Sequence, residues 1–132
     1  MTPRRWKVGE LAAATGVLAR TLHFYDEIGL LVPSERTQDG VRLYSGDDVR
    51  RLYRIVVLRH LGHPLRRTSV LLGEGGPDLL ETVRAHVDHV EGSLMGQRAL
   101  HERLLEIVRL LERGMEPSAD QLIHALEATK KR

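Results

Sequence analysis

The sequence predicts a mainly helical protein. A winged helix-turn-helix is expected at residues 1–72, a Gly/Pro hinge at 73–77, a coiled-coil helix at 78–113 and a short helix within the tail 114–132. Three observations carry that expectation. Two short segments of helical apolar spacing meet at a T-G-V turn and are followed by a hairpin signal. An apolar seam then repeats in alternating steps of three and four, and box-like pairs of small polar and acidic or amide residues mark the helix starts.

In the head, Val8, Leu11 and Ala12 share one helical face, Val17 follows, and Gly16 supplies a left-handed stop. A second helix over 19–28 places Leu22, Tyr25 and Ile28 at helical spacing and ends at Gly29. Two short helices around a tight turn form a helix-turn-helix. Leu30, Leu31 and Val32 read as a strand limited by Pro33; Asp39-Gly40 is a hairpin turn signal, and Val41, Leu43 and Tyr44 form the returning strand. Arg36 and Arg42 flank that turn, within reach of phosphates or a minor groove. Ser45-x-x-Asp48 opens the next helix, whose apolar stripe is Val49, Leu52, Tyr53, Val56, Val57 and Leu61, with Arg50, Arg51, Arg54 and Arg59 on the remainder. Gly62 ends it, and Pro64 starts a short helix through Leu72. Residues 1–5 read as a short, basic, mobile start.

After Gly73, Gly75, Gly76 and Pro77, Asp78 with Glu81 caps a long helix. Its seam is Leu80, Val83, Val87, Val90, Leu94, Gln97, His101, Leu104, Val108 and Leu111, a heptad pattern that fits a partner helix and predicts a homodimer. Gln97 and His101 interrupt the seam, where buried polar residues fix register at some cost in stability. The helix ends at Gly114. Ser118-x-x-Gln121 opens the last one, with Leu122, Ile123 and Leu126 on one face and Lys130, Lys131 and Arg132 at its negative end.

Composition narrows the function. The chain has 132 residues with 20 Lys+Arg and 18 Asp+Glu, but residues 1–67 hold 12 basic against 7 acidic side chains and residues 68–132 hold 8 against 11. A basic front and an acidic back suggest a nucleic-acid-binding head on a solvated support. The absence of cysteine removes disulfides, thiolate metal sites, iron–sulfur clusters and thiol redox sensing. One Phe and one Trp supply poor material for a large aromatic pocket or for single-strand stacking platforms. No apolar run approaches the roughly 18 residues of a membrane span, no signal peptide opens the chain, and a cytoplasmic, nucleoid-associated location is expected. A phosphate-cradling glycine motif, a nucleophile–base arrangement and a paired-carboxylate cleft are all missing, so no enzyme is expected.

The stretches KVGELAAATGV, RTLHFYDEIGLLVPSER, DGVRLYSGDDVRRLYRI and RHLGHPL, in that order and spacing, resemble the MerR family of bacterial transcriptional regulators over residues 7–72. The resemblance implies two winged heads joined by an antiparallel coiled coil, each setting its second helix in a major groove of double-stranded promoter DNA. It also implies a near-palindromic site between over-spaced promoter elements. Bending and untwisting that DNA, at an elastic cost on the order of several kcal/mol, would let RNA polymerase engage both elements. Arg20, Thr21, His23 and Tyr25 match the contact positions of the recognition helix, with Arg20 and Thr21 on phosphates. His23 replaces the Arg common in the family, as in the drug-responsive TipA-like branch. Arg42 and Arg59 match backbone-contacting positions, Arg36 and Lys7 are weaker matches, and the N–H groups of Val8 and Gly9 could hold a phosphate. Leu18 stands where the family usually has a small polar residue.

The metal-sensing branches place cysteines at the ends of the dimerisation helix, and this sequence has none. His60-x-x-His63 and His86-x-x-His89 have helical ligand spacing, but surface histidines explain them better; neither a metal nor a cofactor is expected. The segment PSADQLIHALEATKK resembles the linker of the TipA-like branch, and 18 residues after Gly114 leave no room for the drug-binding domain of that branch. An effector ligand at the dimer interface therefore stays open. Two alternatives stand beside the regulator: an excisionase-like DNA-architecture factor, against which the long seam argues, and a small-molecule sensor.

Overall fold

The computed structural model describes residues 3–130 as six helices and a small sheet, divided into two compact units, 1–83 and 84–132. Met1, Thr2, Lys131 and Arg132, part of the expected basic start and of the basic helix end, lie outside the described residues.

In the first unit, β1 (Trp6–Lys7) leads directly into α1 (Val8–Thr15), which stops at Gly16 with φ 79°. The tight turn then delivers α2 (Ala19–Glu27). β2 (Glu35–Arg36) and β3 (Arg42–Tyr44) form the wing, α3 (Gly46–His60) crosses the core, and α4 (Leu65–Leu71) closes it. The sheet order is β1-β3-β2, both pairs antiparallel, with Trp6 opposite Tyr44 and Arg36 opposite Arg42. Leu11, Leu22, Leu30, Leu31, Tyr44, Leu52, Ile55 and Leu58 make the buried core.

Three details differ from the sequence-based expectation. Residues 30–32 are not a strand. The N–H groups of Leu30 and Leu31 both donate to the carbonyl of Tyr25, at 2.8 and 3.1 Å, so this segment wraps the end of α2 and drops two leucines into the core. The first wing strand lies later, at Glu35–Arg36. Arg5, within the stretch expected to be mobile, is held: its guanidinium meets Glu35 at 2.8 Å, and Trp6 and Lys7 just after it add an edge strand. On α3, Ile55 and Leu58 are buried and Val56 is exposed, so the core stripe lies one residue away from part of the expected one.

The capping boxes formed as expected, because each is a local exchange. The Asp48 N–H donates to Ser45 Oγ at 3.1 Å, and the Asp48 carboxylate accepts the N–H groups of both Ser45 and Ser34 at 2.9 Å. Gly73–Pro77 is a closed turn in which a Cβ on Gly76 would fall 1.8 Å from the Leu71 carbonyl oxygen. Arg54 on α3 donates through Nη2 to the Pro77 carbonyl at 2.8 Å, fixing the start of the long helix to the first unit.

The long helix, α5 (Leu79–Glu112), is capped by Asp78, whose carboxylate accepts the Glu81 N–H at 2.8 Å. In the second unit, α5 continues to the Gly114 turn and α6 (Ala119–Lys130) folds back, with Ile107 and Ala125 buried. A groove of about 710 Å3 lies where Gly92, Gly96 and Ala99 of α5 lack bulk, bordered by Arg103, His124 and Glu127.

Candidate nucleic-acid interface

α2 presents a mixed surface. Arg20 in its first turn is exposed, Thr21 and His23 are half-buried, and Tyr25 is buried with its ring in the core. Phe24 and the N-cap residue Leu18 are exposed beside them. Two apolar side chains thus sit on the helix that the sequence assigned to DNA contact, where they could meet thymine methyl groups or sugar edges.

The wing is joined to α2 through a residue that sequence reasoning missed. Asp26, in the last turn of α2, accepts hydrogen bonds from Arg36 Nη2 at 2.9 Å and from Arg42 Nε at 2.6 Å, both on Oδ2. Its side chain is 10% exposed, against 46% for Arg36 and 29% for Arg42. The Arg42 hydrogen bond, helped by that of Arg36, holds the Asp26 carboxyl below the usual carboxylate range despite the opposing effect of burial. The same bond holds the Arg42 guanidinium in its charged form, above its ordinary value. The stability this carboxylate contributes is complete above the ordinary carboxylate pKa and is lost as the pH falls through the lowered one.

The structure therefore brings Arg36 and Arg42 together at the end of α2. Arg59 belongs to a different place: it is exposed in the last turn of α3 and its Nη1 donates to the His63 carbonyl at 3.3 Å. Val8 and Gly9 open α1, where the Glu10 carboxylate already accepts the Lys7 N–H at 2.8 Å. Arg51 and Arg54 are committed to the fold, donating to the carbonyls of Leu30 at 2.7 Å and Pro77 at 2.8 Å. Tyr44, at the end of β3, is fully buried; burial pushes its phenol up, and its hydroxyl has no hydrogen-bond partner among the described residues. Among those residues no group of three metal-ligating side chains lies together, and no helix is long and apolar enough to cross a membrane.

The apolar members of the α5 seam are exposed in the single chain, from 39% for Val83 to 58% for Leu80, and Gln97 and His101 are exposed with them.

A helix-turn-helix whose second helix carries Arg20 beside a wing bearing two arginines defines a winged helix-turn-helix protein. Residues 6–74 match the family described as "MerR HTH family regulatory protein", and the chain belongs to that family. It is 39% identical over 128 residues to the nodulation protein NolA of Bradyrhizobium elkanii, covering 97% of this chain and 57% of NolA. It is 40% identical over 111 residues to the HTH-type transcriptional activator TipA of Streptomyces coelicolor, covering 84% of this chain and 41% of TipA. The chain thus spans about half the length of such relatives. The crystal structure of the HTH-type transcriptional regulator SkgA from Caulobacter crescentus matches with a TM-score of 0.74 and 29% identity, over 92% of this chain and 87% of that one.

Proposed function

We propose that this chain is a sequence-selective, double-stranded-DNA-binding transcriptional regulator acting as a homodimer in the cytoplasm, without catalytic activity of its own. The observation that carries the reading is the joined pair of α2 and wing, with Arg20, Arg36 and Arg42 exposed or half-exposed on one basic unit. Arg20, Thr21, His23 and Tyr25 serve the recognition helix, Arg36, Arg42 and Arg59 meet phosphates, and the Val8 and Gly9 N–H groups close on another. The regulators named above support the regulatory role.

The exposed seam supports the dimer. In antiparallel pairing its ten positions match as Leu80 with Leu111, Val83 with Val108, Val87 with Leu104, Val90 with His101 and Leu94 with Gln97. Gln97 and His101 then face Leu94 and Val90 near the middle, and the other six positions pair apolar with apolar. A dimer with fixed head spacing can bind a near-palindrome and distort it, the route by which RNA polymerase would be helped onto an over-spaced promoter. The domain assignment follows: 1–72 recognises DNA, 73–77 connects, 78–113 dimerises and 114–132 is the tail.

The test is selection of bound duplexes from a random pool with the purified chain. A recurrent motif of two inverted half-sites is expected. Pools that remain unenriched for any sequence would favour an architectural DNA-binding factor instead. Arg42→Ala and Arg59→Ala are each expected to weaken binding across sequences and to lower the salt slope by about 1.

A further inference from the structure

We propose that Asp26 is a positioning residue for DNA recognition: it is the internal counter-ion that locks the wing arginines to the recognition helix and so sets selectivity rather than affinity. The proposal rests on the DNA-binding reading above and extends it to a residue which that reading leaves unassigned.

Arg36 and Arg42 are direct cross-strand partners of β2 and β3. Like charges in that position destabilise a strand pair. The wing strands are only two and three residues long, and the β1 pairing and Arg5–Glu35 ion pair that also hold them do not relieve the repulsion between the two guanidiniums. Oδ2 of Asp26 offsets it by accepting from both guanidiniums at once.

Asp26 is not part of the wing. It belongs to α2, so the same contact that calms the wing also ties it to the helix that reads the groove. Helix and wing must meet two different parts of one DNA site, and the offset between them determines which sites satisfy both. A rigid offset rejects wrong sites, whereas a loose one tolerates them.

The geometry leaves the arginines usable. Each guanidinium spends one nitrogen on Asp26 and has further N–H donors for a phosphate. The arginine side chains are more exposed than the carboxylate that holds them. A carboxylate close to the phosphate-binding groups also subtracts one negative charge's worth of attraction from every DNA sequence alike. Removing it frees two mobile cations, which strengthens binding that does not depend on sequence.

The test uses the full chain and compares Asp26→Asn with the unmodified protein on the selected duplex and on a scrambled duplex, across a salt series. Asp26→Asn is expected to bind the scrambled duplex several-fold more tightly at low salt, with a slope steeper by about 1. The ratio of selected to scrambled affinity is expected to fall about tenfold. Asp26→Glu, which keeps the charge, is expected to recover most of that ratio. An Asp26→Asn protein with an unchanged ratio and slope, or an Asp26→Glu protein as unselective as Asp26→Asn, overturns the proposal. If Asp26→Asn does not fold, Asp26→Asn combined with Arg36→Ala removes the cross-strand repulsion. That protein is expected to stay unselective because Arg42 is still unanchored, and a normal ratio in it overturns the proposal. An unmodified chain that itself prefers no sequence defeats the DNA-regulator reading instead, which keeps the two failures apart.

Discussion

In the first unit, Leu11, Leu22, Leu31, Leu52 and Ile55 are buried by neighbours from the same chain. In the second, Ile107 and Ala125 are the buried hydrophobic side chains among the described residues, while Val87, Val90, Leu94, Leu104 and Val108 are exposed along one seam that Gln97 and His101 interrupt. Both units have regular helices, so secondary structure does not separate them. Burial does. The first buries a core from its own chain, and the second leaves the apolar members of the α5 seam exposed, which on the dimer reading is the partner's binding face.

The largest effect is expected from Leu22→Ala in the first unit. This side chain is fully buried, and its truncation should cost about 2–5 kcal/mol and lower the head's melting point equally at all protein concentrations. A shift that depends on concentration would mean that the head is not self-sufficient. In the second unit, replacing Gln97 and His101 together by Leu should raise stability by about 1–3 kcal/mol, and only where the seam is paired. Sedimentation and thermal melts would show it, and a sharp loss would give these residues another role. Gly76→Ala tests the turn that follows α4: the added Cβ meets the Leu71 carbonyl and should cost about 1–3 kcal/mol, read by denaturant melts. The smallest effect is expected at Tyr44→Phe. Deleting a buried hydroxyl that lacks a partner should leave stability within about 1 kcal/mol of the original or raise it slightly.

What was legible in the sequence was local. The capping residues Ser45, Asp78 and Ser118 act on N–H groups three positions away, and the Gly16 and Gly114 stops need only their own φ angles, so their positions could be read directly. What was hidden was settled across distance. Leu30 and Leu31 look like strand because they are a short apolar run, but their N–H groups find the Tyr25 carbonyl before they find a strand. Trp6 and Lys7 form a strand only because Tyr44 and Leu43 come alongside, far along the chain. Asp26 had a readable signal. A hairpin centred on Asp39 pairs position 36 with position 42, two arginines, and such a pair calls for a nearby carboxylate. Two acidic residues, Asp26 and Glu27, end the recognition helix, and Asp26 is the one that meets both arginines. Arg51 and Arg54 show the converse: the sequence places them only off the apolar stripe, and the structure has them donating to the backbone carbonyls of Leu30 and Pro77.

The most direct test of the account is the stoichiometry of the chain on its selected duplex, measured by sedimentation at several protein concentrations. Two copies per duplex are expected, with weaker binding when one half-site is scrambled and no comparable binding when both are. One copy per duplex, or equal occupancy of the scrambled DNA, would contradict it.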